Sequence, residues 1–145
     1  MIPQSLESNI IFLCGEFTHL FHRVLTAEFK NHRVGVTVEQ FAILALLYYR
    51  NGISQQEISS LLKRDKTTIT RVIGNMEKSQ LIVRLKNKQD TRGNLIHLTP
   101  KGKAIQNRAV ERSGKLYLAT IDRLNANQLK AGVKLMDQMI RNLSK

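Results

Sequence analysis

The segment Asp65-Lys66-Thr67-Thr68-Ile69-Thr70-Arg71 gathers three hydroxyls, an ammonium and a guanidinium within seven residues. These groups donate hydrogen bonds, and none has a neighbouring base that would make it a nucleophile. Arg71 can discriminate most finely, because a guanidinium donates two parallel hydrogen bonds to the edge of a guanine where a lysine offers only a point charge. Lys66 suits a phosphate, while Thr67, Thr68 and Thr70 suit phosphates or a thymine methyl. The competing reading is that the threonines cap a helix start and that Arg71 is solvated or salt-bridged.

A second group follows at Lys86, Lys88 and Arg92, with Asp90 among them. Lys86 and Lys88 are expected to meet phosphate, and Arg92 to enter a minor groove, where narrow A·T-rich DNA focuses negative potential. A carboxylate facing DNA is costly, so Asp90 is expected to orient Arg92 or Arg71 through a charge-assisted hydrogen bond. The competing reading of this turn is a plain solvated loop. The stretch 63–103 holds eleven of the 23 basic residues and three of the 11 acidic ones, against a net charge of +12 for the chain. Such a balance requires an acidic partner, with nucleic acid first and anionic lipid second.

The elements that position these groups can be read from capping signals and periodicity. Asp65 is an N-cap, and a helix runs from it to about Lys78 with Ile69, Val72, Ile73 and Met76 inward. Thr67, Arg71, Gly74 and Lys78 then lie on the opposite face, flanked by Thr70 and Asn75. Ser54-Gln55-Gln56-Glu57 is a capping box that opens a shorter helix with Ile58, Leu61 and Leu62 inward. A short helix, a turn at Lys63-Arg64 and a polar-faced second helix form the helix-turn-helix pattern.

Strands are expected from Leu81 to Asn87, where Val83 and Leu85 alternate with Ile82, Arg84 and Lys86, and from Asn94 to Leu98. The polar connection between them ends in Gly93, which can take the positive φ of a hairpin turn. Thr99-Pro100 caps and starts a fifth helix. Upstream, Thr37-Val38-Glu39-Gln40 is another capping box, opening a helix with Phe41, Leu44, Ala45 and Tyr48 inward and ending at Asn51-Gly52.

The two ends carry helical seams. Leu6, Ile10, Leu13, Phe17, Leu20 and Val24 recur at steps of four and three, and Ile11, Phe21, Leu25 and Phe29 widen the stripe. That stripe exceeds what one neighbour covers, so part of it should meet another chain. Leu129, Val133, Met136, Ile140 and Leu143 repeat the spacing near the other end. The expected fold is mainly α with a small antiparallel β wing: a winged helix-turn-helix over 37–100, with terminal dimerisation helices over 1–34 and 101–145, in a single domain spanning 1–145.

The segment Asp90-Thr91-Arg92-Gly93-Asn94-Leu95-Ile96-His97-Leu98-Thr99-Pro100-Lys101-Gly102 resembles the Asp-x-Arg wing signature and following Leu-Thr-x-x-Gly of the MarR family of bacterial transcription regulators. The likeness extends back through the Asp65 to Arg71 segment, which is similar to that family's recognition helix, and element order agrees over nearly the whole chain. The resemblance implies a homodimer with the first, fifth and sixth helices of two chains interlocked. It implies a repressor on a pseudo-palindromic operator, released by a small lipophilic or phenolic effector or by cysteine oxidation. Recognition helices in such a dimer sit about 34 Å apart or a multiple of it.

Sensing residues are less defined. Phe17, Phe21, Phe41 and Tyr48 are candidates to line an effector pocket, and equally fit as packing residues. Cys14, on the apolar first helix, reads as a small buried hydrophobe. In regulators of the organic-peroxide branch of that family the reactive cysteine lies nearer the early Leu-Glu pair than Cys14 does to Leu6-Glu7. His19 and His22 are three apart and could share a metal with His32, but without a cysteine cluster they read as partly exposed histidines, and no cofactor or metal is expected.

At 145 residues and 42% hydrophobic the chain can bury a core without disulfides or metals. Its start, Met1-Ile2-Pro3-Gln4, lacks the basic region of a secretory signal, and its longest apolar run, Phe41 to Tyr49, is about half of a membrane span, so a cytoplasmic protein with no membrane partner is expected. No phosphate loop, carboxylate pair or activated nucleophile points to an enzyme. The rival is a structural or RNA-associated basic protein without operator specificity. With only 6% aromatics, the stacking platforms that single-stranded RNA readers use are lacking.

Overall fold

The computed structural model describes residues 5–90 and 92–144, so Met1 to Gln4 and Thr91 of the wing motif lie outside the described residues. Two compact units divide the chain, 1–113 and 114–145.

In the first unit, Asn9 rather than Leu6 sets the start of the opening helix. Its Oδ1 accepts from the amides of Ile11 at 2.9 Å and Phe12 at 3.2 Å, so α1 runs Ile10–Asn31 and Leu6 falls in a preceding 3₁₀ turn, Leu6–Ser8. Leu25 and Phe29 of α1 turn inward, and Phe29 meets Phe41 edge to face at 5.4 Å. The seam residues Leu13, Phe17, Leu20 and Val24 stay exposed.

The capping boxes at Thr37 and Ser54 both form, opening α2 (Val38–Tyr49) and α3 (Gln55–Leu62). α2 buries Ile43, Leu44 and Leu47, while Tyr48, expected inside, is exposed and meets Tyr49 edge to face. Nearly every α2 residue is apolar, so its periodicity carries no phase. In α3, Ile58 is buried as expected but Leu61 is exposed; the neighbouring Ser59 is buried instead, its hydroxyl donating to the carbonyl of Arg64 at 2.5 Å. That bond ties down the turn after Lys63, whose left-handed φ of 50° ends α3.

The helix α4 (Lys66–Lys78) buries Ile69, Val72, Ile73 and Met76 against α2, α3 and the sheet. The sheet has three antiparallel strands in the order β1-β3-β2: β1 (Ile53–Ser54), β2 (Ile82–Lys86) and β3 (Asn94–Leu98). Two-residue β1, absent from the sequence reading, pairs Ile53 with Ile96 and Ser54 with Leu95. Ile82 and Ile96 enter the core, while Val83 and Leu85 face outward, so β2 turns inward the face that carries Ile82 and Arg84.

At the base of the wing, the Thr99 amide donates to the Leu81 carbonyl at 3.1 Å, its Oγ1 donates toward the carbonyls of Gln80 and Leu81, and the same Oγ1 accepts from Gly102 N at 3.0 Å. Thr99 thereby caps α5 (Pro100–Thr120) and fastens it to the end of α4. Glycine is required at 102, because a Cβ there would sit 2.0 Å from the Leu81 carbonyl oxygen. In the second unit, α6 (Ala126–Leu143) starts at an Asn125–Gln128 capping box and has no buried residue.

Candidate nucleic-acid interface

The cap at Asp65 fixes where the polar face of α4 begins. Its Oδ1 accepts from the Thr68 amide at 2.8 Å and its Oδ2 from the Thr68 hydroxyl at 2.7 Å, and these bonds hold the Asp65 carboxyl below its ordinary pKa. Thr68 is half-buried and committed to the cap. With Ile69, Val72, Ile73 and Met76 inward, the residues Lys66, Thr67, Thr70, Arg71, Asn75 and Lys78 are all exposed. Gly74 adds no side chain to this face, so a ligand can approach the backbone there.

Arg71 reaches the first turn of α2, where its Nη2 lies 3.5 Å from Glu39 Oε2. Both side chains are more than half exposed, 62% and 56%, so the pair is worth little in stability and yields readily to a competing partner. Thr70 sits at the end of a chain of side-chain hydrogen bonds that passes through half-buried Arg84 and Gln55. Glu77 Oε2 accepts from Arg84 Nε at 3.0 Å, Arg84 Nη1 donates to Gln55 Oε1 at 3.1 Å, and Gln55 Nε2 donates to Thr70 Oγ1 at 2.5 Å. This chain joins α4, β2 and α3 behind the polar face.

On the wing, Lys86, Lys88 and Arg92 are exposed. Asp90 Oδ1 accepts from the backbone amide of Arg92 at 3.0 Å, and Gly93 N donates to the Asp90 carbonyl at 3.1 Å. Asp90 therefore acts on Arg92 through the turn, as an Asx motif, whereas the guanidinium of Arg71 pairs with Glu39. Gly93 does not adopt a positive φ; closure comes from the Asp90 turn and from Asn87 N donating to Gly93 O at 3.0 Å. The Asn87 side chain also accepts from Gln89 N at 3.0 Å, stiffening the approach to the tip.

The structure thus brings the expected α4 and wing residues, except the half-buried Thr68, onto exposed surfaces of one compact unit, and adds Glu39, Gln55, Glu77 and Arg84, which sequence reasoning passed over. One signal was present for Arg84: it shares a strand face with Ile82, and an arginine at a core-facing position requires partners. The other three contacts are tertiary and leave no local trace.

Two clefts lie beside this interface. The first, about 480 Å³, is bordered by His22, Thr26, Phe29, Lys30 and Val36 among others. The second, about 470 Å³, reaches the base of α4 and is bordered by His22, Glu39, Ala42, Arg64, Asp65 and Thr68 among others. Neither is lined by Phe17, Phe21, Phe41 or Tyr48: Phe17 and Phe21 pair with each other at 5.8 Å on α1, and Phe41 packs on Phe29. His32 pairs with Glu28 at 3.3 Å, away from His19 and His22, and no group of three metal-ligating side chains occurs among the described residues. Cys14 is half-buried on α1. No helix among the described residues is long and apolar enough to cross a membrane.

A capped short helix, a fixed turn, a polar-faced helix and a basic antiparallel wing define the winged helix-turn-helix class. Residues 36–93 match the model of the MarR family. The chain is 32% identical over 104 residues to the HTH-type transcriptional regulator TtmR of Methylorubrum extorquens, a match covering 72% of this chain and 52% of that protein. It is 27% identical over 113 residues to the organic hydroperoxide resistance transcriptional regulator of Bacillus subtilis, covering 77% and 74%. The chain therefore spans about half the length of the first relative and about three quarters of the second. In fold, a MarR protein from Peptoclostridium difficile matches with a TM-score of 0.84 over 99% of this chain and 92% of that one, at 24% identity. Residues 36–93 thus match the MarR family model, and the relatives that the chain resembles are transcriptional regulators.

Proposed function

We propose that the protein is a sequence-specific double-stranded DNA-binding regulator that works in the cytoplasm as a homodimeric repressor on a pseudo-palindromic operator. The observation that carries this reading is the exposed face of α4, where Lys66, Thr67, Arg71 and Asn75 stand on a helix fixed by its cap, beside a wing that carries Lys86, Lys88 and Arg92. Arg71 reads a base edge, Arg92 enters the adjacent minor groove, and the lysines contact phosphate. Two such surfaces are required for a palindrome, and the exposed apolar residues of α1 and α6 support pairing of two chains.

A small lipophilic or phenolic effector releases the DNA in this reading. The cleft at the base of α4 supports it, since its volume lies within the roughly 300–1,000 Å³ of small-molecule sites and its walls include the Asp65 cap and Glu39, the partner of Arg71. His22 and Arg64 there offer donors to a phenolic oxygen.

The test is enrichment of bound duplexes from a random pool by the full chain, followed by anisotropy titration of the enriched sequence, a scrambled duplex and single-stranded RNA. The expected result is an inverted repeat bound well above the scrambled duplex, in the range of 10³-fold or more. Equal binding to the scrambled duplex, or preference for the RNA, sinks the reading.

A further inference from the structure

We infer that Thr70 reads the operator through its methyl group, recognising a thymine, and that Gln55 and Arg84 are positioning residues that commit its hydroxyl elsewhere; the inference rests on the operator reading above. The chain of hydrogen bonds behind α4 runs in a fixed direction. A guanidinium has donors only, so the Gln55 atom that Arg84 Nη1 meets at 3.1 Å is the amide oxygen, and the amide nitrogen is turned toward Thr70. That NH₂ group donates, so Thr70 Oγ1 accepts. The single hydroxyl proton of Thr70 goes to the carbonyl of Lys66, at 2.7 Å. Glu77 fixes the far end by accepting from Arg84 Nε at 3.0 Å.

Thr70 therefore has no proton left for a phosphate oxygen, which itself carries none. With Oγ1 held from two sides the χ1 rotamer is set, and the methyl group on the same branched Cβ is set with it. Thr70 is exposed, next to Arg71 on the polar face. The group in the major groove that complements a fixed methyl is the C5-methyl of thymine, which cytosine and uracil lack. Thr67, about one turn toward the helix start, has no such constraint among the described residues and keeps the phosphate role.

The experiment uses the full chain and the operator enriched by it, with each thymine replaced singly by deoxyuridine, a change that deletes only the methyl. Wild type is expected to lose about fourfold in affinity at one symmetry-related pair of positions, the factor that burial of one methyl-sized group is worth. Thr70→Ser, which keeps the hydroxyl chain and deletes the methyl, is expected to bind the thymine and uracil versions of that pair alike while retaining the salt slope. Thr70→Val, which keeps methyl groups and deletes the hydroxyl, is expected to retain the discrimination. Gln55→Met should reduce it in wild type and have no further effect on it in Thr70→Ser, a coupling that simple loss of stability would not produce. If Thr70→Ser discriminates and Thr70→Val does not, the hydroxyl is the reader and the inference falls. An operator whose thymines can all be replaced without loss also overturns it, leaving the operator reading intact. Failure to enrich any sequence overturns both.

Discussion

Arg71 and Lys88 carry the same charge yet are expected to contribute to the proposed DNA binding in different ways. Arg71 stands on the α4 face in a loose pair with Glu39, a partner it can exchange for a base edge. Its replacement, Arg71→Ala, should relax base preference at one position per half-site at a cost of about 1–3 kcal/mol on the operator and much less on a random duplex. Lys88 lies on the wing loop, where Lys88→Ala should weaken both duplexes alike and lower the salt slope by about one. Titrations of both duplexes at several salt concentrations separate the two; equal losses for both variants on both duplexes would contradict the division. Asp65 adds a pH dependence. Its folded-state pKa is lowered by the Thr68 amide and hydroxyl, so its contribution is fully present above the ordinary carboxylate pKa and is lost as pH falls through the folded value. The stability gap between wild type and Asp65→Asn, which caps without titrating, should therefore narrow from neutral to strongly acid solution in denaturant melts. A gap independent of pH would mean that the charge on the cap is immaterial.

The elements meet at a tight joint where Thr99 caps α5 and Gly102 lies against the Leu81 carbonyl. Gly102→Ala would gain helix propensity of about 1 kcal/mol, but its Cβ at 2.0 Å from a backbone oxygen forces α5 or the α4–β2 junction to move. Overpacking of this kind costs about 1–3 kcal/mol, so a net loss in the urea midpoint is expected. Gly93→Ala is the control: the new Cβ would meet the Asp90 carbonyl at an ordinary 3.8 Å and should change the midpoint little. An unchanged midpoint in Gly102→Ala would show that the joint yields. The same joint illustrates what could be read beforehand. The cap and buried stripe of α4 were legible because Asp65 and a clean helical period mark them, and both capping boxes were legible because their bonds are three residues apart. The inward face of α2 was not, since a helix apolar all round gives no phase, and Leu47 took the place expected for Tyr48. β1 is two residues long and exists only by pairing with β3. At the site, exposure of Lys66, Arg71, Lys88 and Arg92 followed from pattern, whereas the Arg84–Gln55 bond joins residues 29 apart and is set by packing alone.

At the scale of the whole molecule, both compact units keep apolar side chains in solvent. In the first unit Ile11, Phe17 and Leu20 of α1 are 64%, 55% and 45% exposed, and in the second Val133, Met136 and Ile140 of α6 are 71%, 41% and 50% exposed. Exposed apolar stripes of this sort are costly in a free monomer, and pairing of two chains would remove them from water. Because α6 has no buried residue, Ile140→Glu disturbs no core within the chain and should leave the helical circular dichroism signal intact. It should nevertheless convert the proposed dimer to a monomer in sedimentation velocity, since an unpaired carboxylate in a closed interface costs several kcal/mol. Wild-type thermal midpoints should rise with protein concentration, as they do when folding and association are linked, and those of Ile140→Glu should not. The consequence for DNA follows from geometry. Two linked reading heads about one helical turn apart engage a palindrome together, and a single head keeps only its half-site affinity, a loss on the order of 10²-fold or more. An Ile140→Glu protein with the wild-type mass and wild-type operator affinity would place the pairing surface elsewhere than on α6.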